Sequence, residues 1–386
     1  MTRNFRELPL YRFLQSLDYL QVGVVAMLLC IGLIFIHSTG TQIDTPESLA
    51  SFGKQLRWIG IGTAVYLLVA ALDYRSFSCR VAMLFGYAVS LVLLVVVLFF
   101  GLKIFGATRW LNFFGLRLQP SEPAKLMVIG VLSAIFSAPK FSSSKSLCIL
   151  MSSAAVGIPF FLIAIEPDLG SSLVLLPVAG IMLFSFGIKW RYVLLGLTAI
   201  AVGISFVLLD SFREDPILLR DYQRDRIKVF LNPGSDLSNR GHNAHQALLA
   251  VGSGGLSGTG IGRGIQNELG FLPQTVSNND FIFSVIAEET GFVGVLFLLT
   301  LYLVLLYTIL RTAFIVSGYG RYIAVGVAML IFCHIFINIG MSIGIAPVTG
   351  LPLPLVSYGG SFILTTMTTL GLVQSIYRHA KLEMLD

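Results

Sequence analysis

Ten apolar runs, each long enough to cross a membrane as an α-helix, restrict what this chain can fold into. They lie near residues 19–38, 54–72, 78–100, 122–137, 147–165, 169–186, 190–209, 279–310, 321–343 and 356–377. Only 12% of the residues are charged, whereas ordinary soluble domains carry about 25%. A soluble globular domain is thereby excluded. We expect an all-α polytopic membrane protein with ten transmembrane helices, in which residues 1–386 form a single membrane domain.

The distribution of Lys and Arg predicts how these helices are oriented. Cytoplasmic loops of membrane proteins carry an excess of both residues. If the N-terminus is cytoplasmic, the inner segments hold more Lys and Arg than the short outer loops. We therefore expect both termini in the cytoplasm and a large extracytoplasmic loop, residues 210–278, between spans seven and eight. The net charge of +6 fits this asymmetry and contact with anionic membrane lipids, so nucleic-acid binding is not expected.

The sequence offers little support for a metal centre or a cofactor. Four cysteines lie in or beside apolar runs without paired spacing, which indicates neither a disulfide framework nor a zinc site. The run GSGGLSGTGIGRG, residues 252–264, lacks the Gly-Lys-Ser/Thr ending of a phosphate-binding loop. A flexible lid or close backbone packing explains that run better. No ligand cluster demands a divalent cation, although one such as Mg²⁺ stays an open alternative.

An acidic residue, Asp280, stands where the long polar loop meets the eighth apolar run. A charged side chain is costly in a membrane, about 3 kcal/mol at the bilayer centre and less near the surface. Two interpretations stay open: a catalytic base on the outer side, or a carboxylate that caps the first helical turn. On a helix starting here, Glu288 would share its face about 12 Å deeper. We expect Glu288 and Glu289 to be structural, hydrogen-bonded to neighbouring helices.

A second outer segment, residues 101–125, carries further candidates. Glu122 and Lys125 open the fourth run, where a cation is unfavourable at a helix N-terminus. Either the two form a local i, i+3 ion pair, or Lys125 and the exposed helix amides face an anion such as phosphate. Trp110 is typical of an interfacial anchor. The neighbouring Arg109 suits a pyrophosphate headgroup, because guanidinium forms charge-assisted hydrogen bonds with phosphate.

Two Pro-containing segments are expected to interrupt helices on the outer side. Glu166 and Asp168 flank Pro167, a pattern that predicts a turn and a helix cap. The stretch APVTGLPLPLVSYGG, residues 346–360, predicts a broken or re-entrant segment. Such a segment is tolerated in a membrane only if it is buried in protein or lines a cavity.

Taken together, these segments resemble the SEDS family (shape, elongation, division and sporulation proteins), and within it the RodA branch. The resemblance covers nearly the whole chain. It is carried by GATRWL, QPSEPAKL, YQRDRIKVFLNP, GSGGLSGTGIGRG, FLPQ, DFIFSVIAEETGF and NIGMSIGIAPVTGLPLPLVSYGGS. It implies a ten-span fold in the bacterial cytoplasmic membrane and a peptidoglycan glycosyltransferase that polymerises lipid II during cell elongation. It also implies a class B penicillin-binding protein as transpeptidase partner.

The resemblance also assigns site residues. The family's essential aspartate falls on Asp280, its outer-loop tryptophan on Trp110, and its glutamate and lysine on Glu122 and Lys125. The family commonly has His-Thr before the aspartate, whereas this chain has Asn278-Asn279. That departure puts in doubt any role of the histidine in orienting substrate.

These assignments lead to an expected reaction, an inverting glycosyl transfer between lipid II and a lipid-linked glycan. Asp280 would take the proton of the acceptor hydroxyl, and positive groups would receive the leaving pyrophosphate. The candidate cations are Lys125, Arg109, Arg224, Arg226, Lys228 and Arg263. Two other classes stay open: a lipid II flippase or transporter, and a non-catalytic scaffold for the penicillin-binding protein. The place of Asp280 at the outer mouth, rather than at the midplane, favours the enzyme.

Overall fold

A computed structural model describes residues 9–42, 46–104, 107–113, 116–211, 240–272 and 274–385. Each of the ten predicted apolar runs forms a helix, and among the described residues five shorter α-helices lie between or before them. The helices are α1 Pro9–Ser16, α2 Tyr19–Gln42, α3 Pro46–Ala71, α4 Arg80–Phe100, α5 Ser121–Ser137, α6 Pro139–Ser143, α7 Lys145–Ile165, α8 Leu169–Ser185, α9 Trp190–Ser211, α10 Arg240–Ser253, α11 Ile265–Glu268, α12 Gln274–Ser277, α13 Ile282–Ile315, α14 Tyr319–Ser342 and α15 Gly360–Leu385.

The helices make the chain a multi-pass membrane protein. Within the described ranges, α2, α4, α7, α13 and α14 are each long and apolar enough to cross a membrane, and α8 is a shorter apolar helix. The count of ten spans, and the side of the membrane on which residues 210–278 lie, stay predictions. Outward faces of α4 and α9 expose large apolar side chains, among them Phe99 and Phe206. Such faces suit contact with lipid chains.

The segment that follows α4 is a small sheet. Strands β1 Leu102–Ile104, β2 Ala107–Phe113 and β3 Leu116–Leu118 form an antiparallel sheet in that order. Trp110 of β2 pairs with Leu102 across the first ladder, and Asn112 pairs with Arg117 across the second. The chain is mostly helical, and this sheet is a local departure from the expected all-α chain. The β-branched and aromatic residues of β2 favour a strand, and they lie outside the apolar runs from which helices were predicted.

The hydrophobic core lies between helices that pack their apolar faces against one another. Leu28 of α2, Leu132 of α5 and Leu305 of α13 are each fully buried there. The non-helical stretch between α14 and α15 contributes to the same core, because Leu353 and Val356 are also fully buried. Burial in protein is the condition under which irregular backbone is tolerated at membrane depth. The expectation for residues 346–360 agrees with this arrangement.

Helix α13 is broken at Gly291, and the glycine-rich run fills the break. Gly291 has φ 66° and ψ −164°, which is outside helical geometry. The amide of Phe292 donates to the carbonyl of Gly255 at 2.9 Å instead of continuing the helix. In the other direction, the amide of Thr259 donates to the carbonyl of Glu288, and the amide of Gly260 donates to the carbonyl of Glu289, both at 3.0 Å. The groups freed by the break are therefore satisfied by the run.

This exchange requires glycine in the run, because the two backbones almost touch. A Cβ added to Gly254 would lie 2.0 Å from the carbonyl oxygen of Ala287. A Cβ added to Gly258, whose φ is +76°, would lie 2.2 Å from that of Glu289. Of the two interpretations of the run, close backbone packing is therefore the one that the structure shows.

Candidate active site

Asp280 lies in a turn just before α13, not in the helix. The N-cap of α13 is Phe281, and no side chain caps the helix there. The helix begins at Ile282, so Asp280 lies two residues before the first helical turn in which it was predicted. The expected shared face with Glu288 also no longer applies, because Asp280 precedes the helix. Its side chain is half-buried, whereas residues 281–289 that follow are buried.

The backbone around Asp280 is held by hydrogen bonds from elsewhere in the chain. The side-chain amide of Asn338, on α14, donates to the carbonyl of Asp280 at 3.0 Å. The hydroxyl of Ser357 donates to the carbonyl of Asn279 at 2.7 Å, and the amide of Tyr358 donates to that of Asn278 at 2.9 Å. Three consecutive carbonyls are thus fixed by residues far away in sequence. Such fixation holds the stretch of backbone that carries the carboxylate.

The Pro-rich stretch between α14 and α15 approaches the carboxylate of Asp280. Gly350 has φ +77°, and a Cβ built on it would lie 3.4 Å from Oδ2 of Asp280. The adjoining Leu351 is buried, and its carbonyl accepts a 2.8 Å hydrogen bond from the same Asn338 amide that holds Asp280. A single side chain therefore ties the aspartate to this stretch.

Glu122 and Lys125 form a buried ion pair at the start of α5. The Lys125 ammonium lies 2.8 Å from Oε1 of Glu122, and both side chains are at least 95% buried. It also lies 3.0 Å from Nε2 of His334 on α14. An ammonium only donates, so Nε2 accepts and Nδ1 carries the proton, which faces the carbonyl of Pro352 at 3.3 Å. The structure shows the local pair, and substrate contact by Glu122 and Lys125 stays a prediction.

Arg109 lies beside the turn that joins α7 and α8. Its guanidinium is 3.5 Å from Oδ1 of Asp168 and donates to the carbonyl of Pro167. Asp168 caps α8 by accepting from the amide of Ser171 at 3.2 Å, so the predicted helix cap is observed. The role of Arg109 toward pyrophosphate stays a prediction. Trp110, its neighbour on β2, is half-buried.

Glu166 in this turn is a buried acid. Its side chain is 1% exposed, and its carboxyl oxygens accept no hydrogen bond from any described residue. Burial, and to a lesser extent the nearby charge of Asp168, raise the pKa of Glu166 to about 9, while Arg109 acts in the opposite direction. Glu166 is therefore a neutral carboxylic acid at neutral pH.

The remaining candidates are more scattered. Arg263 lies in the glycine-rich run with an exposed side chain. Arg224, Arg226 and Lys228 lie outside the described residues. The glutamate pair holds the run: Glu289 accepts from the hydroxyl of Ser38 at 2.6 Å and from the amide of Gly262 at 3.0 Å, and Glu288 accepts from the amide of Gln266 at 3.0 Å. Their expected structural role agrees with these contacts: Ser38 lies on α2, whereas Gly262 and Gln266 belong to the long loop, Gln266 within the short helix α11.

Polar contacts thus join Glu122, Lys125, His334 and the carbonyl of Pro352, and the neighbouring carbonyl of Leu351 is joined through Asn338 to the carbonyl of Asp280. We name this set of contacts the α5–α14 polar chain. His334 and Asn338 were missed by the sequence reasoning. Their signal was available, because two polar residues at spacing i, i+4 in an apolar helix lie on one face. No group of three or more His, Cys, Asp or Glu that could hold a metal ion occurs in the part of the chain that the structure describes.

The fold and these contacts define a multi-pass membrane protein with a polar site at one end of its helices. A family model described as "Cell cycle protein", for FtsW, RodA and SpoVE proteins, matches residues 19–382. The chain belongs to this family, which confirms the resemblance to SEDS proteins.

Relatives and solved structures agree with that membership. Peptidoglycan glycosyltransferase MrdB of Escherichia coli (strain K12) is 36% identical over 368 residues, which are 93% of this chain and 92% of that protein. Peptidoglycan glycosyltransferase RodA of Treponema pallidum (strain Nichols) is 30% identical over 434 residues, 95% of this chain and 98% of the relative. A chain from a peptidoglycan synthase complex, solved in work on how polymerization and crosslinking are coordinated, has a TM-score of 0.78 and 28% identity, covering 94% of this chain and 98% of its own. Rod shape determining protein RodA of Thermus thermophilus has a TM-score of 0.67 and 28% identity, covering 94% and 97%.

Proposed function

We propose that this chain is a peptidoglycan glycosyltransferase that polymerises lipid II, with Asp280 as the general base. The observation that carries the assignment of the base is the setting of Asp280. Its backbone is fixed by Asn338, while its half-buried side chain stands outside the helix. A general base needs a fixed position and a side chain that a substrate hydroxyl can reach.

The reaction is an inverting transfer at the anomeric carbon of the donor. The acceptor is the 4-hydroxyl of the N-acetylglucosamine of one lipid II molecule, and the donor is the growing glycan on undecaprenyl pyrophosphate. Asp280 takes the hydroxyl proton while the oxygen attacks. The bond from the anomeric carbon to the pyrophosphate oxygen breaks, and both its electrons leave with the pyrophosphate. The product carries a β-1,4 link, because attack comes from the face opposite the α-linked leaving group.

The leaving pyrophosphate requires positive charge nearby. Lys125 is the first candidate, followed by Arg109 and then by Arg224, Arg226, Lys228 and Arg263. An ammonium has three N–H donors, and Glu122 and His334 receive two of those of Lys125. The third is the group that we assign to a phosphate oxygen. Glu122 then keeps the lysine charged and oriented, and Trp110 lies against the sugar or lipid part of the substrate.

The setting of this reaction is the bacterial cytoplasmic membrane, with both termini in the cytoplasm. Its partner is a class B penicillin-binding protein, which crosslinks the strands that this chain makes. The similarity to a chain of a peptidoglycan synthase complex supports a partner of this kind. No bound cofactor is needed for the steps above, and a divalent cation such as Mg²⁺ is a candidate for the pyrophosphate.

The test uses purified protein in detergent with labelled lipid II. We expect Asp280→Asn to lose polymerisation by about a hundredfold to ten-thousandfold, because the amide cannot take a proton. Glu268→Gln is the matched control, since it removes the same charge from an exposed position in the preceding loop. It should polymerise like the wild type.

Each alternative function predicts a different result in this assay. A flippase would move lipid II between leaflets of a vesicle and would make no polymer in detergent. A non-catalytic scaffold would make polymer only when a glycosyltransferase is added. Wild-type polymerisation by Asp280→Asn would reject the assignment of the base.

A further inference from the structure

His334 lies at the centre of the α5–α14 polar chain, and its two ring nitrogens contact different parts of the protein. Nε2 lies 3.0 Å from the Lys125 ammonium on α5. Nδ1 lies 3.3 Å from the carbonyl of Pro352 in the Pro-rich stretch. The side chain is 2% exposed, and its ring packs against Phe362 with centroids 5.1 Å apart. The ring is therefore fixed in orientation, and each nitrogen has a defined partner.

The same stretch is held a second time, one helical turn further along α14. Asn338 follows His334 by four residues, so the two side chains lie on one face of the helix. The Asn338 amide donates to the carbonyls of Leu351 and Asp280, at 2.8 and 3.0 Å. Two successive carbonyls of the stretch, those of Leu351 and Pro352, thus accept hydrogen bonds from α14. Gly350, next to them, lies against the carboxylate of Asp280.

We propose that His334 is a positioning residue that couples the Lys125 ammonium to the Pro-rich stretch beside Asp280. The inference rests on the proposed function, because it concerns the geometry between the base and the group assigned to the leaving pyrophosphate. Lys125 lies on α5 and Asp280 lies in the turn before α13. Hydrogen bonds of the His334 and Asn338 side chains connect both of them to the Pro-rich stretch. His334 touches neither substrate nor the reacting atoms. It acts by fixing the separation of two groups that do.

Three substitutions separate the two contacts of His334. His334→Leu fills the space but forms neither hydrogen bond. His334→Asn places its amide near the position of Nδ1, so it can donate to Pro352 but does not reach Lys125. His334→Gln extends to the position of Nε2, where its oxygen can accept from Lys125, and its amide can still donate to a nearby carbonyl. Cys333→Ala is the matched control, since Cys333 is a buried neighbour on the same helix outside the polar chain.

We expect kcat for lipid II polymerisation to fall by about tenfold to a hundredfold in His334→Leu, because small misplacement of reacting groups is costly. KM should change much less than kcat, since the loss concerns the transition state. His334→Gln should recover most of kcat, His334→Asn should remain low, and Cys333→Ala should match the wild type. Equal kcat in His334→Gln and His334→Asn would overturn the proposal. Comparing these two variants tests the proposal even if His334→Leu fails to fold.

Hydrogen exchange gives a readout that does not depend on the reaction. Amides at 353–358 belong to the Pro-rich stretch, where the amide of Leu353 donates to Ser357 at 2.8 Å. They should exchange faster in His334→Asn than in His334→Gln if the coupling to Lys125 steadies the stretch. Unchanged exchange in both variants would also overturn the proposal. Failure of the proposed function would appear differently, as a wild type without polymerase activity or an active Asp280→Asn.

Discussion

Asp280 and the pair Glu288–Glu289 belong to one stretch of sequence, but they lie in different surroundings. The glutamates are buried, and their carboxylates accept hydrogen bonds from Gly262 of the glycine-rich run, from Gln266 and from Ser38. Asp280 is half-buried, and it is the carbonyl of Asp280 that Asn338 holds. The glutamate carboxylates bind parts of the chain together, and the backbone of Asp280 is held beside Gly350. This difference shows that the role of an acidic residue at a membrane boundary is indicated by its hydrogen-bonding partners and not by its position in the sequence.

Asp280→Asn is the variant for which we expect the largest effect, and it tests the contrast between Asp280 and the two glutamates. If Asp280 serves the reaction and not the fold, its amide variant should unfold in detergent at the same temperature as the wild type while losing polymerisation. Thermal unfolding followed by intrinsic fluorescence measures this. A large fall in unfolding temperature would place Asp280 with the glutamates as a structural acid.

Lys125 sharpens the contrast, because it is a buried charge to which a substrate role is also assigned. Lys125→Met leaves Glu122 buried without its partner, and breaking one side of a buried pair costs about 3–5 kcal/mol. Glu122→Gln combined with Lys125→Met should recover much of that stability, since no charge remains. Both variants should still bind lipid II more weakly than the wild type. Full recovery of lipid II binding in the double variant would show that Lys125 is purely structural.

Gly254 tests whether the region around the glutamates is held by close backbone packing. Gly254→Ala adds a methyl group 2.0 Å from the carbonyl oxygen of Ala287, and overpacking of this kind costs about 1–3 kcal/mol. Gly252→Ala, two residues earlier, is the control, because its methyl group meets nothing within 4 Å. It lies in α10, where alanine is favoured over glycine by about 0.5–1 kcal/mol. The unfolding temperatures of the pair should move in opposite directions, and a parallel shift would contradict the packing described.

Glu166 gives an effect that depends on pH. The unfolded side chain titrates near its ordinary pKa of 4.5, and the folded one has its pKa raised to about 9. The stability contributed by the neutral acid is therefore complete below pH 4.5 and is lost as pH rises toward about 9. Glu166→Gln does not titrate, so its unfolding temperature should exceed that of the wild type increasingly between pH 5 and pH 9. A difference that is constant with pH would contradict the raised pKa.

Helix positions followed from the sequence more readily than the site did. Apolar runs report where helices form, and α5, predicted at 122–137, lies at Ser121–Ser137. Local spacing also anticipated the Glu122–Lys125 pair as one of two alternatives. Contacts between distant segments were not accessible, because nothing in the glycine-rich run indicates that it occupies a break in α13. The sheet at 102–118 was missed for a related reason, since short strands give a weaker pattern than long apolar helices.

The break at Gly291 means that the 34-residue length of α13 overstates the part that must match the bilayer. The piece of α13 after the break, residues 292–315, is about 36 Å long at 1.5 Å per residue, whereas the hydrocarbon core of a bilayer is about 30 Å thick. A piece slightly too long adapts by tilting. The piece of α13 before the break is hydrogen-bonded to the loop and separated from the longer piece by a non-helical residue. Such tilting can therefore occur without moving Asp280. We therefore expect the discontinuity to separate the segment that carries Asp280 from the effects of changes in lipid chain length.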